Sequence, residues 1–196
     1  MEIRKLTSDM AAEYLSYFDH VAFSDHEEWA ACYCLESHLS QEENDALQEK
    51  TSRREKAREL IDKGIMQGYL VYDGDAIVGW CNVGDKASYA PLMENSDYET
   101  LVPCKGIIKA IYCFEIAPGS RGKGITHLLM ERIIRDAMEG GYSYVESYPF
   151  TDRNFEYQYH GPIPLYERYG FQVIAEKPWF YIMQKKLVSS DDANTL

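Results

Sequence analysis

Apolar and polar positions change period several times along the chain, and each change marks an element. Met1 to Thr7 alternates, as a half-buried strand does. Thr7-Ser8-Asp9 then supplies a helix N-cap signal, and Met10, Tyr14, Leu15 and Phe18 follow close to one helical face. From Val21 to Leu39 no period dominates, and Trp29 to Leu35 reads as a short strand. Gln41 to Asp62 is rich in Glu, Lys, Arg and Ala, which predicts helix at least from Ser52 onward, with its charges on a solvated face. Gly68 to Tyr72 and Ala76 to Val83 are β-prone, and Asp73-Gly74 between them is a hairpin turn signal. Ser88 to Cys104, with Pro91, Asn95, Asp97 and Pro103, reads as a loop insertion. Ile107 to Ile116 is apolar on both faces apart from Lys109 and Glu115, the mark of a central strand, and it stops at Pro118-Gly119. Ile125, Leu128, Leu129, Ile133, Ala137 and Met138 recur at helical spacing up to Gly140-Gly141. Tyr142 to Tyr148 is a further strand. After a polar and aromatic loop, Thr151 to His160, Pro162 and Pro164 introduce a short helix that ends at Gly170. Phe171 to Glu176 and Trp179 to Lys185 are the last strands, and Ser189 to Leu196 reads as a flexible tail.

Hairpin and crossover connections both occur in this order, so it predicts one α/β domain over residues 1–188, a mixed central sheet flanked by helices. No repeat and no linker divides the chain. A length of 196 residues fits one domain. Thirty-two acidic against 20 basic residues leave a net charge of −12, which repels a phosphate backbone and argues against nucleic acid as the main partner. No apolar run reaches the roughly 18–20 residues that cross a bilayer, and Met1 to Lys5 does not open an export signal, so no membrane association is expected. Five cysteines, an odd number in a chain long enough to build its own core, fit free thiols in a reducing cytoplasm. His26, Cys32, Cys34 and His38 come nearest to a metal cluster. Their spacing matches no familiar zinc signature, so no metal is expected.

The segment from Phe114 to Thr126 carries the most chemistry: a strand runs into Arg121-Gly122-Lys123-Gly124 and opens an amphipathic helix. The first amides of such a helix lack intrahelical partners and lie at the positive end of its dipole, and glycines let an anion approach the backbone. Arg121 and Lys123 add positive charge. The spacing is not that of a P-loop, and His127 stands where a dinucleotide fingerprint has its third glycine. The diphosphate of another cofactor fits better.

Arg121-x-x-Gly124-x-Thr126 after a Pro-terminated strand resembles the coenzyme A loop of the Gcn5-related N-acetyltransferase (GNAT) superfamily, Gln/Arg-x-x-Gly-x-Gly/Ala. Leu165-Tyr166-Glu167-Arg168-Tyr169-Gly170-Phe171 looks like that superfamily's Tyr-x-x-x-Gly-Phe segment, and the hairpin sits where the family has its second and third strands. The likeness covers roughly residues 65–185 by this element-by-element reading. Val78-Gly79-Trp80-Cys81, Glu146-Ser147-Tyr148-Pro149 and Tyr159-His160-Gly161 resemble one branch of it, whose acceptor they do not name. Thr126 departs from the usual Gly or Ala, and Tyr159 stands where an Asn often precedes the Tyr by about seven residues.

The resemblance implies acetyl-CoA as cosubstrate, held by Phe114 and Ile116 on a central strand splayed from its neighbour and by Arg121, Gly122, Lys123, Gly124, Ile125 and Thr126. Tyr166 would protonate the leaving thiolate, which a phenol suits. For the base, Glu115 and Glu146 lie on adjacent strands; each is either a base, directly or through water, or a structural carboxylate. Tyr148, Phe150, Tyr157 and Tyr159 either line an acceptor pocket or pack a loop on the sheet. His127 reads as a neighbour of the diphosphate. Cys113 offers a covalent variant, with no His beside it in sequence to serve as base. The expected activity is acetyl transfer to an amine, a small cationic one given the acidic surface, by direct attack. Two other readings stay open, a non-catalytic acyl-CoA-binding or sensing module and a partner-binding scaffold. A homodimer is also left open.

Overall fold

The computed structural model describes residues 1–89, 98–99 and 107–187. Seven strands form one sheet, in chain order β1 (Glu2–Lys5), β2 (Gly68–Asp73), β3 (Ala76–Asp85), β4 (Ile108–Ile116), β5 (Tyr144–Ser147), β6 (Gln172–Glu176) and β7 (Tyr181–Lys186). Their spatial order is β1-β2-β3-β4-β5-β7-β6. Every neighbouring pair is antiparallel except β4 with β5, which is parallel. That exception follows from the crossover helix between them, because parallel neighbours need a long connection.

The α-helices among the described residues are α1 (Ala11–His20), α2 (Gln41–Ala46), α3 (Lys50–Asp62), α4 (Ile125–Glu139) and α5 (Ile163–Arg168). Tyr14, Leu15, Tyr17 and Phe18 of α1 and Ala57, Leu60 and Ile61 of α3 bury against Leu70, Tyr72, Trp80 and Cys113 on one face of the sheet. Ile125, Leu129 and Ile133 of α4 and Leu165 and Tyr166 of α5 bury against Tyr69, Val71, Cys81 and Phe114 on the other. Burial on both faces explains why β4 carries an almost unbroken apolar run.

Several expectations need correcting. Trp29 to Leu35 is not a strand: Glu27–Trp29 form a 3-10 turn, and Tyr33 and Cys34 adopt left-handed φ values of 43° and 52°, which extended chain excludes. The helical stretch from Gln41 is two helices. Ser40 and Glu43 make a reciprocal capping box at the start of α2, and the chain leaves helical geometry at Leu47 before α3 begins. The first helix opens with a 3-10 turn, Ser8–Met10, and the Thr7 side chain caps nothing. In the hairpin Asp73 pairs with Ala76, so the two turn residues are Gly74 and Asp75 rather than Asp73 and Gly74. The loop insertion from Ser88 to Cys104 lies mostly, and the tail from Ser189 wholly, outside the described residues. Within the described residues no helix is long and apolar enough to cross a membrane.

Candidate active site

β4 ends at Ile116, a 3-10 turn over Pro118–Ser120 follows, and α4 starts at Ile125. Gly124 is its N-cap at φ 78°, a left-handed conformation that glycine adopts at little cost, and no side chain caps the helix. The amides of Gly122, Lys123, Gly124, Ile125 and Thr126 have no acceptor among the described residues. A Cβ added at Gly122 or Gly124 would meet nothing within 4 Å. The loop is therefore an open cradle of donors at the positive end of a 15-residue helix, which fits a diphosphate. Arg121 does not point at it. Its Nη1 pairs with Asp25 Oδ2 at 2.5 Å, its Nε donates to the Ile116 carbonyl at 3.0 Å, and Nη2 lies 3.8 Å from Glu115. Lys123 stays exposed at the loop, and His127 is 3.3 Å from the Tyr169 hydroxyl.

Beside the cradle the sheet opens. β5 pairs with β4 only from Ile108 to Ile111, and β4 runs on to Ile116 paired with β3 but not with β5. The chain itself enters part of this gap. The Phe114 amide donates to the Tyr159 carbonyl at 2.7 Å, and His160 Nδ1 donates to the Tyr112 carbonyl. Phe114 thus has its amide occupied by the protein. Backbone groups alternate sides along a strand, so the Ile116 amide faces the same gap two residues on.

Tyr166 closes the gap from the α5 side. It is fully buried, and its hydroxyl donates to the His160 carbonyl. Burial pushes that hydroxyl well above the usual phenol range, so it holds its proton. Gly161 makes this packing possible: at φ 81°, a Cβ there would lie 2.8 Å from the Tyr166 hydroxyl and 3.1 Å from the Phe114 ring. His160 stays neutral, its imidazole held down to about 4 by burial.

The two carboxylates have different surroundings. Glu146 is 0% exposed, and both its oxygens are taken: Lys86 Nζ at 2.6 Å and the Tyr148 hydroxyl at 2.7 Å bond Oε1, and Gln184 Nε2 bonds Oε2 at 2.5 Å. Of its two readings this packing favours the structural one, and Tyr148, bonded to it, is itself fully buried. Among the described residues the Glu115 carboxylate accepts no hydrogen bond, and its nearest cation is Arg121 at 3.8 Å. Burial pushes its carboxyl up to about 8 against the opposing pull of Arg121. The Tyr17 hydroxyl donates to the Glu115 carbonyl at 3.0 Å and ties α1 to this strand.

On the face of the sheet that carries α1 and α3 lies a cleft of about 1210 Å³. Its walls are aromatic, with Phe23, Trp29, Tyr112, Phe155, Tyr157 and Tyr159 among them, and Cys32, Cys34 and Cys113 also line it. Trp29 and Tyr157 meet edge to face at 4.0 Å. Tyr157 and Tyr159 line this cleft, while Phe150 packs on Phe155 and Tyr159 and is not part of its lining. Of the residues considered for a metal, His26 stacks on Trp29 and bonds Glu28 at 3.0 Å, whereas His38 Nε2 and Cys34 Sγ both lie against Asn82 Nδ2, at 3.2 and 3.4 Å, and burial holds His38 down to about 4. Hydrogen bonding with Cys34 and burial push the Cys113 thiol well above its ordinary range, the condition of an inert thiol rather than a nucleophile. The wall formed by residues 23 to 45 was not legible in the sequence, since Trp29, Cys34 and Glu36 belong to no periodic element there.

No curated protein sequence matched the chain. Among solved structures, the PaiA N-acetyltransferase of Thermoplasma acidophilum in complex with coenzyme A is 16% identical, with a TM-score of 0.55 over 95% of this chain and 98% of that one. YncA of Salmonella typhimurium, solved with its cofactor acetyl-CoA, is 15% identical, with a TM-score of 0.53 over 95% of this chain and 94% of its own. A GNAT acetyltransferase of Listeria monocytogenes is 15% identical, with a TM-score of 0.58 over the same shares. At these identities the likeness is one of fold. The acetyltransferase (GNAT) family model matches residues 26–171, so the match begins well before the stretch whose motifs carry the resemblance. With that match spanning most of the chain, the protein belongs to the GNAT family of acetyltransferases.

Proposed function

We propose that the protein transfers an acetyl group from acetyl-CoA to a primary amine by direct attack, with the amine entering from the aromatic cleft. The observation that carries this reading is the opening of the sheet beyond Ile111, with unpaired amides at the start of α4 on one side and the cleft on the other. Acetyl-CoA supplies an acetyl group activated as a thioester. The amides from Gly122 to Thr126 bind its diphosphate, and Lys123 adds charge. The Ile116 amide donates into the gap where the thioester must lie, and Phe114 shapes its wall. Glu115 takes the proton that the attacking ammonium has to lose, directly or through water, and a carboxyl raised to about 8 is a stronger base than an ordinary one. Tyr166 returns a proton to the leaving thiolate. Burial raises the phenol, and the same dry setting raises a thiolate, so the two remain matched. Glu146 supports the sheet and takes no part in the reaction.

The experiment is release of free coenzyme A thiol from acetyl-CoA across a panel of amines, with wild type and Tyr166→Phe. Turnover that falls by about 10²–10⁴-fold in the Phe variant, with cofactor affinity kept, supports the assignment. Coenzyme A binding without release on any amine favours a sensing module instead. Wild-type turnover in the Phe variant returns Tyr166 to a packing role.

A further inference from the structure

The cleft contains a carboxylate that the proposed reaction does not use. Glu36 lines it, is exposed, and has no hydrogen bond or ion pair among the described residues. Its charge reaches the cleft lining, acting on Cys32, Cys34, Tyr112 and Tyr159. Glu115 acts on the same floor from the β4 side, through Cys32 and Cys113. Glu36 shares the cleft lining with Cys32, Cys34 and Cys113, and Glu115, two residues beyond Cys113 on β4, lies on the same face of the sheet.

The other charged groups on the lining are already engaged. Arg53 is the cation there, and its guanidinium donates to the carbonyls of Ala31 at 2.6 Å and of Cys32 and Leu47 at 3.4 Å, and to Asn44 Oδ1 at 3.4 Å. Glu28 is bonded to His26, and Asp45 accepts from Gln41 at 2.9 Å. Glu36 is left as the lining carboxylate without a hydrogen-bond partner among the described residues, beside aromatic walls, a setting that holds an ammonium by ion pairing and by cation–π contact with Tyr112 and Tyr159.

An ammonium held by a carboxylate is stabilised in its charged form, and a charged ammonium has no lone pair with which to attack a thioester. One nitrogen cannot be both anchored by Glu36 and nucleophilic beside Glu115. Resting on the amine acetylation proposed above, we infer that the acceptor carries two basic nitrogens: Glu36 binds the one that stays charged, and the other loses its proton to Glu115 and is acetylated. At about 1210 Å³ the cleft exceeds what a minimal monoamine fills, and its apolar walls suit the carbon chain between two nitrogens.

The test uses the full chain with 1,4-diaminobutane and n-butylamine, which differ by the second nitrogen. Wild type should prefer the diamine in kcat/KM, carried mainly by KM. Glu36→Gln should shrink that preference by about 10–100-fold, as expected for losing one charge-assisted contact, and should weaken diamine binding in calorimetry. Glu36 is exposed, so the variant folds. Glu42→Gln, on the outer side of α2, should keep the wild-type preference. Turnover of both amines without preference, or a preference that Glu36→Gln leaves intact, overturns the inference while amine acetylation stands. Absence of turnover on any amine overturns the underlying reading and this inference with it.

Discussion

Glu115→Gln tests a carboxyl whose burial and role make opposite demands. Between its ordinary value of 4.5 and about 8 the folded protein holds a proton on Glu115 that the unfolded chain releases. The native state therefore binds more protons in that window, and its stability contribution is lost as pH rises through it. The Gln variant should gain thermal stability over wild type, more at alkaline than at acid pH, measured as paired melting temperatures across pH. Its activity should move the other way. Wild-type kcat/KM should climb with pH up to about 8, and the Gln variant should lose that limb. An unchanged limb would move the base elsewhere. Glu146 makes a contrasting case. Its removal leaves Lys86, 1% exposed, without its carboxylate, and losing one partner of a buried pair costs about 3–5 kcal/mol. Glu146→Ala should show that loss in urea unfolding, a large part of a stability of about 5–15 kcal/mol.

In the function proposed above, the loop between β4 and α4 acts as an element and would hold the diphosphate by backbone rather than by side chain. Arg121 is paired to Asp25, so Arg121→Ala should weaken coenzyme A binding less than about tenfold. Gly124→Asp places a negative charge over the unpaired amides and forces a left-handed φ on a residue with a Cβ. It should cost at least about a hundredfold in affinity by calorimetry. Thr126 is the second residue of α4 and offers its amide like the others, so Thr126→Ala should stay within about tenfold. A reversed order, with Arg121→Ala the more damaging, would mean that the guanidinium swings from Asp25 to the diphosphate.

Over the whole molecule a net charge of −12 gives cations a favourable approach to a cleft whose free charge is also negative. Steering of this kind weakens as salt screens it over about 10 Å at 0.1 M. The best acceptor's kcat/KM should therefore fall between low and moderate ionic strength. A best acceptor that is anionic, or a rate that rises with salt, would contradict the electrostatic reading.

The sequence alone determined the sheet strands from Gly68 onward, the α4 helix and the glycine-rich turn before it, because each rests on local signals: a period of two or 3.6, a glycine-rich turn, a proline stop. Even there, spacing could not say that Arg121 turns to Asp25, since the two are brought together only by the return of the segment after α1 onto the loop. The tertiary structure decided the rest. Whether Glu115 or Glu146 is committed elsewhere depended on Lys86 and Gln184, 60 and 38 residues away from Glu146 in the chain. The wall of the aromatic cleft depended on residues 23 to 45, where two left-handed residues and short turns leave no period to read. Local patterns encode how a segment folds; which carboxylate is buried with partners and which faces a cleft is set by contacts between segments that no window of sequence contains.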